Sequence, residues 1–244
     1  MVPRDARGRR GVLIRAALAL ALLLGGCAWG RGEAPRALPA DRDAPLVYVA
    51  LGDSTVEGVG ASSPEASYVG RLHARLRGVY PNARLVNLGV AGATSADVLA
   101  GQLERAIALG PHLATLSIGP NDVTGRVTLE TFERNVGAML GRLARETRAV
   151  LVVNLLPDLA VTPRFRASAA RDLVGRRTVE FNGALGRAAR ALGVEPVDLY
   201  GPSREELPRR PELVWSDGYH PSDAGYARWA ELLWTGVAPR IAAR

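Results

Sequence analysis

Five short apolar runs rich in β-branched residues, at positions 46–51, 85–88, 113–118, 149–156 and 197–200, are separated by segments whose apolar residues recur every three or four positions. Val69, Leu72, Leu76 and Val79 mark one helical face, Leu99, Leu103 and Ile107 a second, and Phe132, Val136, Leu140 and Leu143 a third. A fourth helical stretch lies within 166–192, and Trp229, Leu233 and Val237 share one side of a last one. Strand and helix in strict alternation predict an α/β chain: a parallel sheet of five strands with helices on both faces. No internal repeat and no shift in composition divides residues 45–244, so they read as one domain. Sheets of this kind bind ligands beyond the carboxyl ends of their strands. The polar residues gather there: Gly52-Asp53-Ser54 after the first run, residues 89–94 after the second, and Gly119-Pro120-Asn121-Asp122 after the third.

Composition narrows the chemistry. All 31 basic residues are arginine, and with no lysine the chain cannot build a phosphate-binding P-loop, a kinase-type lysine, a pyridoxal Schiff base or a Ser-x-x-Lys site. One cysteine, Cys27, excludes a disulfide within the chain and any CxxC centre. The formal charge of +7 suggests a nucleic-acid partner at first sight, but residues 1–26 carry five of the arginines and one aspartate, leaving +3 beyond them. The remaining arginines are interspersed with Asp and Glu, so no nucleic-acid surface is expected.

Those first 26 residues read as a secretory signal, with Arg4 to Arg15 preceding an apolar run at 16–24 that is shorter than the about 20 residues a membrane-spanning helix needs. Leu24-Gly25-Gly26-Cys27 looks like a bacterial lipobox, which makes Cys27 the expected lipidation site. Residues 27–44, rich in Pro, Gly, Arg and Asp, then read as the lipidated cysteine and a flexible tether. The expected location is extracytoplasmic, lipid-anchored to a bacterial cell envelope, with the membrane as a partner through the N-terminal lipid.

Ser54 stands at the end of a buried-looking strand, on a turn that aims a hydroxyl out of the sheet. A Gly-Asp-Ser triplet alone is equally a turn and a helix cap. A serine nucleophile needs a base, and there are three histidines. His73 lies among arginines on an amphipathic helix, where it reads as a solvated surface residue, and His112 sits at the entry of the third strand, the wrong end of the sheet. His220 remains, with Asp217 three residues before it, a spacing that lets a carboxylate hold the imidazole across a loop turn. Asp217-x-x-His220 by itself also fits a capping aspartate and a loop histidine, although Pro221-Ser222-Asp223 supplies a helix start of its own. Asn121 can offer a side-chain N–H, and Gly92 a backbone N–H, to a developing oxyanion.

Gly52-Asp53-Ser54, Gly92 within NLGVAGATS, Gly119-Pro120-Asn121-Asp122 and Asp217-Gly218-Tyr219-His220-Pro221, in that order, resemble the GDSL/SGNH hydrolase family over nearly the whole chain from Leu46. The resemblance implies a flavodoxin-like three-layer α/β/α fold with strand order 2-1-3-4-5. It implies Ser54 as nucleophile, His220 as base and Asp217 orienting His220, and an oxyanion hole of the Ser54 and Gly92 amides with Asn121. The expected activity is hydrolysis of a small ester or an acylated glycan or lipid, with no cofactor and no metal. An O-acyltransferase or glycan O-acetyl esterase on the same site, and a catalytically silent lipid-anchored binding protein, are the alternatives. A Gly-x-Ser-x-Gly elbow is excluded by Val56, and no His-Glu-x-x-His helix occurs.

Overall fold

Along β1 (Leu46–Gly52) the side chains alternate between two cores. Leu46, Tyr48 and Ala50 face one, and Val49 and Leu51 the other, the period of two that a strand buried on both faces requires. The computed structural model describes residues 36–242, so the signal segment and Cys27 lie outside the described residues. Three further strands, β2 (Ala83–Asn87), β3 (Leu113–Ser117) and β4 (Val150–Val153), join β1 in a parallel sheet of order β2-β1-β3-β4.

Ten α-helices among the described residues connect and flank the strands: α1 (Ser54–Glu57), α2 (Tyr68–Arg77), α3 (Ser95–Gly101), α4 (Leu103–Ala108), α5 (Pro120–Thr124), α6 (Leu129–Glu146), α7 (Pro163–Arg166), α8 (Arg171–Arg190), α9 (Tyr200–Glu206) and α10 (Asp223–Val237). Leu72 and Leu76 of α2 and Ala230, Leu233 and Val237 of α10 pack on one face of the sheet with Val150 and Val152. The opposite face receives Val98, Leu103 and Ala106 of α3 and α4, the Phe132, Val136, Leu140 and Leu143 stripe of α6, and Phe181, Leu185 and Ala189 of α8. Phe132 and Phe181 meet with ring centroids 4.7 Å apart, which joins α6 to α8. Each fully buried leucine of these faces contributes about 2 kcal/mol of transfer free energy.

Two sequence expectations need correction. The run at 197–200 is not a fifth strand: only Val197 pairs, in an isolated parallel bridge to Asn154, so the sheet has four strands. Pro196 has no N–H to extend the ladder, and Asp198 turns the chain at once by accepting from the N–H groups of Tyr200 and Gly201, which starts α9. Similarly, the Leu99, Leu103 and Ile107 face belongs to two short helices. The break falls at Gln102, whose buried side chain leaves the helical pattern to bond both the N–H and the C=O of Gly52.

Packing reaches further back than the sequence pattern indicates. Leu38, within the segment read as a tether, is 2% exposed and bridges to Ile241, and the Arg36 guanidinium donates to the carbonyls of Ala144, Thr147 and Ala149.

Candidate active site

The turn after β1 is shaped by a residue that has to be glycine. Gly52 sits at φ +150°, and a Cβ there would lie 1.9 Å from the Ser117 carbonyl oxygen of the neighbouring strand. Asp53 then caps α1: its Oδ1 accepts from the Thr55 N–H and from the Thr55 hydroxyl, both at 2.9 Å. Ser54 is thereby the first residue of α1, 7% exposed, with its N–H outside the helix's own hydrogen-bond ladder.

The loop between α9 and α10 brings the base across. Asp217 Oδ1 accepts from the N–H groups of Tyr219 and His220, and a Val214–Pro221 bridge closes the loop behind them. Asp217 Oδ2 lies 2.5 Å from His220 Nδ1, and His220 Nε2 lies 2.9 Å from Ser54 Oγ. With the Nδ1 proton bonded to the carboxylate, Nε2 is left to accept from the serine hydroxyl. Burial works against the Asp217 charge, but the donors from His220 and from the Tyr219 and His220 backbone outweigh it and hold the carboxyl below its ordinary value. The helix start is supplied separately: Ser222 caps α10, and Asp223 bonds the N–H and hydroxyl of Ser62. The Tyr219 ring meets His220 edge-on at 5.1 Å and carries the Arg164 guanidinium on its face.

The loops after β2 and β3 lie beside this turn. Val90 N–H donates to Gly52 C=O, and Ala91 N–H to the Glu57 carboxylate. Gly92 adopts φ +81°, with open space where a Cβ would project. Asn121, at the start of α5, donates one Nδ2 hydrogen to Ala93 C=O at 2.9 Å, which joins it to the Gly92 segment and leaves its second hydrogen uncommitted. Asp122, raised by burial from its ordinary value, accepts from the N–H and hydroxyl of Ser95, and Asn135 of α6 donates to the same hydroxyl. Arg177 of α8 reaches the carbonyls of Asp122, Val123 and Val127.

Of the residues singled out in the sequence, Ser54, His220 and Asp217 meet in one hydrogen-bonded row, and Gly92 and Asn121 share a second connection through Ala93. His112 is at the far end of the sheet, where its Nδ1 accepts from Val47 N–H. His73 is half-buried rather than solvated, because its Nε2 bonds Ala83 C=O where α2 returns to β2. Gln102, Ser95, Asn135 and Arg177 escaped the sequence reading. Each is a polar residue within or beside an amphipathic helical stretch, and its own residue type does not distinguish it from the solvated positions around it.

These features are those of an ester-cleaving hydrolase on a parallel α/β sheet. More narrowly, the chain belongs to the GDSL-like lipase/acylhydrolase family, whose model matches residues 50–228. Comparison with curated proteins finds no match. Similar solved structures include a lipase/acylhydrolase from Enterococcus faecalis, 20% identical, covering 82% of this chain and 98% of that one with a TM-score of 0.67. An acetylxylan esterase from Geobacillus stearothermophilus is 21% identical, with 84% and 100% covered and a TM-score of 0.65. TesA is 23% identical, with 80% and 100% covered and a TM-score of 0.65. At these identities the likeness is one of fold.

Proposed function

We propose that the chain hydrolyses carboxylic esters through an acyl-enzyme on Ser54. The observation that carries this reading is the row Asp217–His220–Ser54, with contacts of 2.5 and 2.9 Å. His220 Nε2 takes the hydroxyl proton as Ser54 Oγ attacks the ester carbonyl, and the resulting oxyanion accepts from the Ser54 and Gly92 N–H groups and from Asn121 Nδ2. The alcohol leaves with the proton held by His220. Water, deprotonated in turn by His220, attacks the acyl-enzyme, and the acid departs as Ser54 regains its proton. Asp217 keeps the imidazole in the required tautomer and stabilises the imidazolium formed twice in the cycle. A fluorophosphonate probe should label the protein at one site; labelling that persists in Ser54→Ala would refute the assignment.

The substrate is a small ester or an acylated glycan or lipid. The acetylxylan esterase of G. stearothermophilus among the similar structures favours testing a glycan O-acetyl ester beside simple chain-length series. Release of acetate from acetylated xylan at a kcat/KM above that for p-nitrophenyl acetate would assign the glycan; the reverse order would assign a small ester. The sequence around Cys27 supports a lipid anchor and an extracytoplasmic location, and Cys27→Ser should move the protein from the detergent phase to the aqueous phase.

A further inference from the structure

Among the described residues, Trp215 is the one aromatic side chain that stands exposed, at 43%, and the mechanism above gives it no task. A single exposed apolar residue is ordinary in itself. Its register sets this one apart. Trp215 N–H donates to His220 C=O at 2.8 Å and Ser222 N–H to Leu213 C=O at 3.0 Å, with the Val214–Pro221 bridge between them. Trp215 and His220 are thus directly opposite across a short antiparallel pair, and opposite residues of such a pair project their side chains from the same face. The indole therefore stands beside the imidazole.

The loop that leaves α1 holds the root of this side chain. Gly60 comes so close that a Cβ on it would lie 3.2 and 3.3 Å from Trp215 Cβ and Cγ, and 2.5 Å from the Pro221 carbonyl oxygen. Trp215 is wedged in this way between the loop that follows the nucleophile and the loop that carries the base. The imidazole side of the site has a defined occupant. When the tetrahedral intermediate collapses, the bond from the carbonyl carbon to the alcohol oxygen breaks and His220 Nε2 gives its proton to that oxygen. The departing oxygen must then lie within hydrogen-bond reach of Nε2, while the oxyanion points to Gly92 and Asn121 and the acyl chain takes the remaining direction. Trp215 flanks the alcohol of the ester, not its acyl chain.

We infer that Trp215 is a specificity-determining residue that stacks the leaving alcohol, and that this alcohol is a pyranose of an O-acylated glycan. The inference rests on the ester-hydrolase reading above and on the roles given there to Ser54 and His220. A flat indole face open to water suits a ring with one apolar C–H face and hydroxyls around its rim: the C–H face covers the indole while the hydroxyls stay hydrated. An alkyl alcohol laid on the same isolated ring would leave the other side of its chain in water. Exposed Ser216 follows Trp215 directly and exposed Ser62 stands two residues beyond Gly60, so the backbone on both sides of the indole carries a hydroxyl.

Two acetate esters that differ only in the alcohol test it: acetylated methyl xylopyranoside, which presents the bare pyranose ring, and ethyl acetate. The ratio of their kcat/KM values should fall about 10-fold in Trp215→Ala, through a higher KM for the sugar ester. Trp215→Tyr keeps a ring face and should hold the ratio within about 3-fold of wild type. A ratio unchanged in Trp215→Ala, or a tyrosine variant as poor as the alanine variant, would overturn the inference. A loss in Trp215→Ala that grows with acyl length at a fixed alcohol would put the indole on the acyl side and overturn it equally. Binding is read without turnover in Ser54→Ala, where the sugar ester should quench indole fluorescence, and the quenching should vanish in Ser54→Ala/Trp215→Phe. No quenching in the first, or equal quenching in both, counts against the platform. Failure of the ester-hydrolase reading would look different, as ester cleavage that survives Ser54→Ala while this quenching persists.

Discussion

Asp53 raises a question that belongs to single residues, namely how a protein keeps a group it would be more stable without. Its folded-state carboxyl stands near 6 against an ordinary 3.8. A raised value means that the folded state binds the proton more tightly, so its contribution is fully present below about 3.8 and is lost as the pH rises through about 6. Asp53→Asn should accordingly gain stability relative to wild type on going from pH 5 to pH 8, by about 1 kcal/mol, in urea unfolding followed at both pH values. Asp217 has the opposite sign: its depressed value supports the fold above the ordinary carboxylate range and is lost only as the pH falls below it. If Asn121 serves the proposed oxyanion, Asn121→Ala should lower kcat about 10² to 10³-fold with little change in circular dichroism. Gly52→Ala, which drives a Cβ into the Ser117 carbonyl, should instead unfold the protein at markedly lower urea.

At the level of elements, the edge that carries Gly92 and Asn121 depends on contacts between helices. Ser95 heads α3 and is gripped by Asp122 of α5 and Asn135 of α6, and this grip sets the Gly92 segment against Asn121. Ser95→Ala removes the shared hydroxyl and should lower kcat about 10-fold or more while leaving KM near wild type, measured on a short-chain ester. Such a network shows why the sequence was readable in some places and opaque in others. That Ser54, Asp217 and His220 would come together was legible because each has a local signature: a strand end, a loop spacing, a shortage of competing histidines. Four strands and the α6 stripe were legible from periodicity. The fifth run was misread because hydrophobicity in 197–200 serves the mouth of a helix, and the decisive residues, Pro196 and Asp198, act through backbone donors rather than through pattern. Gln102 and Ser95 could not be read because their partners lie tens of positions away.

For the molecule as a whole, residues ahead of β1 complete one of the two cores. Leu38 is sealed beneath the C-terminal bridge at Ile241, and Arg36 holds three carbonyls at the end of α6 and the entry of β4. A chain beginning at residue 45 should be about 3 kcal/mol less stable to urea than one beginning at residue 36, because a buried leucine and a multiply bonded guanidinium go together.

The same contacts fix a polarity. Arg36 and Leu38 join the domain at the amino ends of the strands, and Ser54 opens at the carboxyl ends. A group joined directly at residue 36 would therefore meet the domain on the side opposite Ser54. Immobilisation of a chain that begins at residue 36 should thus leave access for a substrate as bulky as a polymer strand, and the free face is the one a designer would want turned outward.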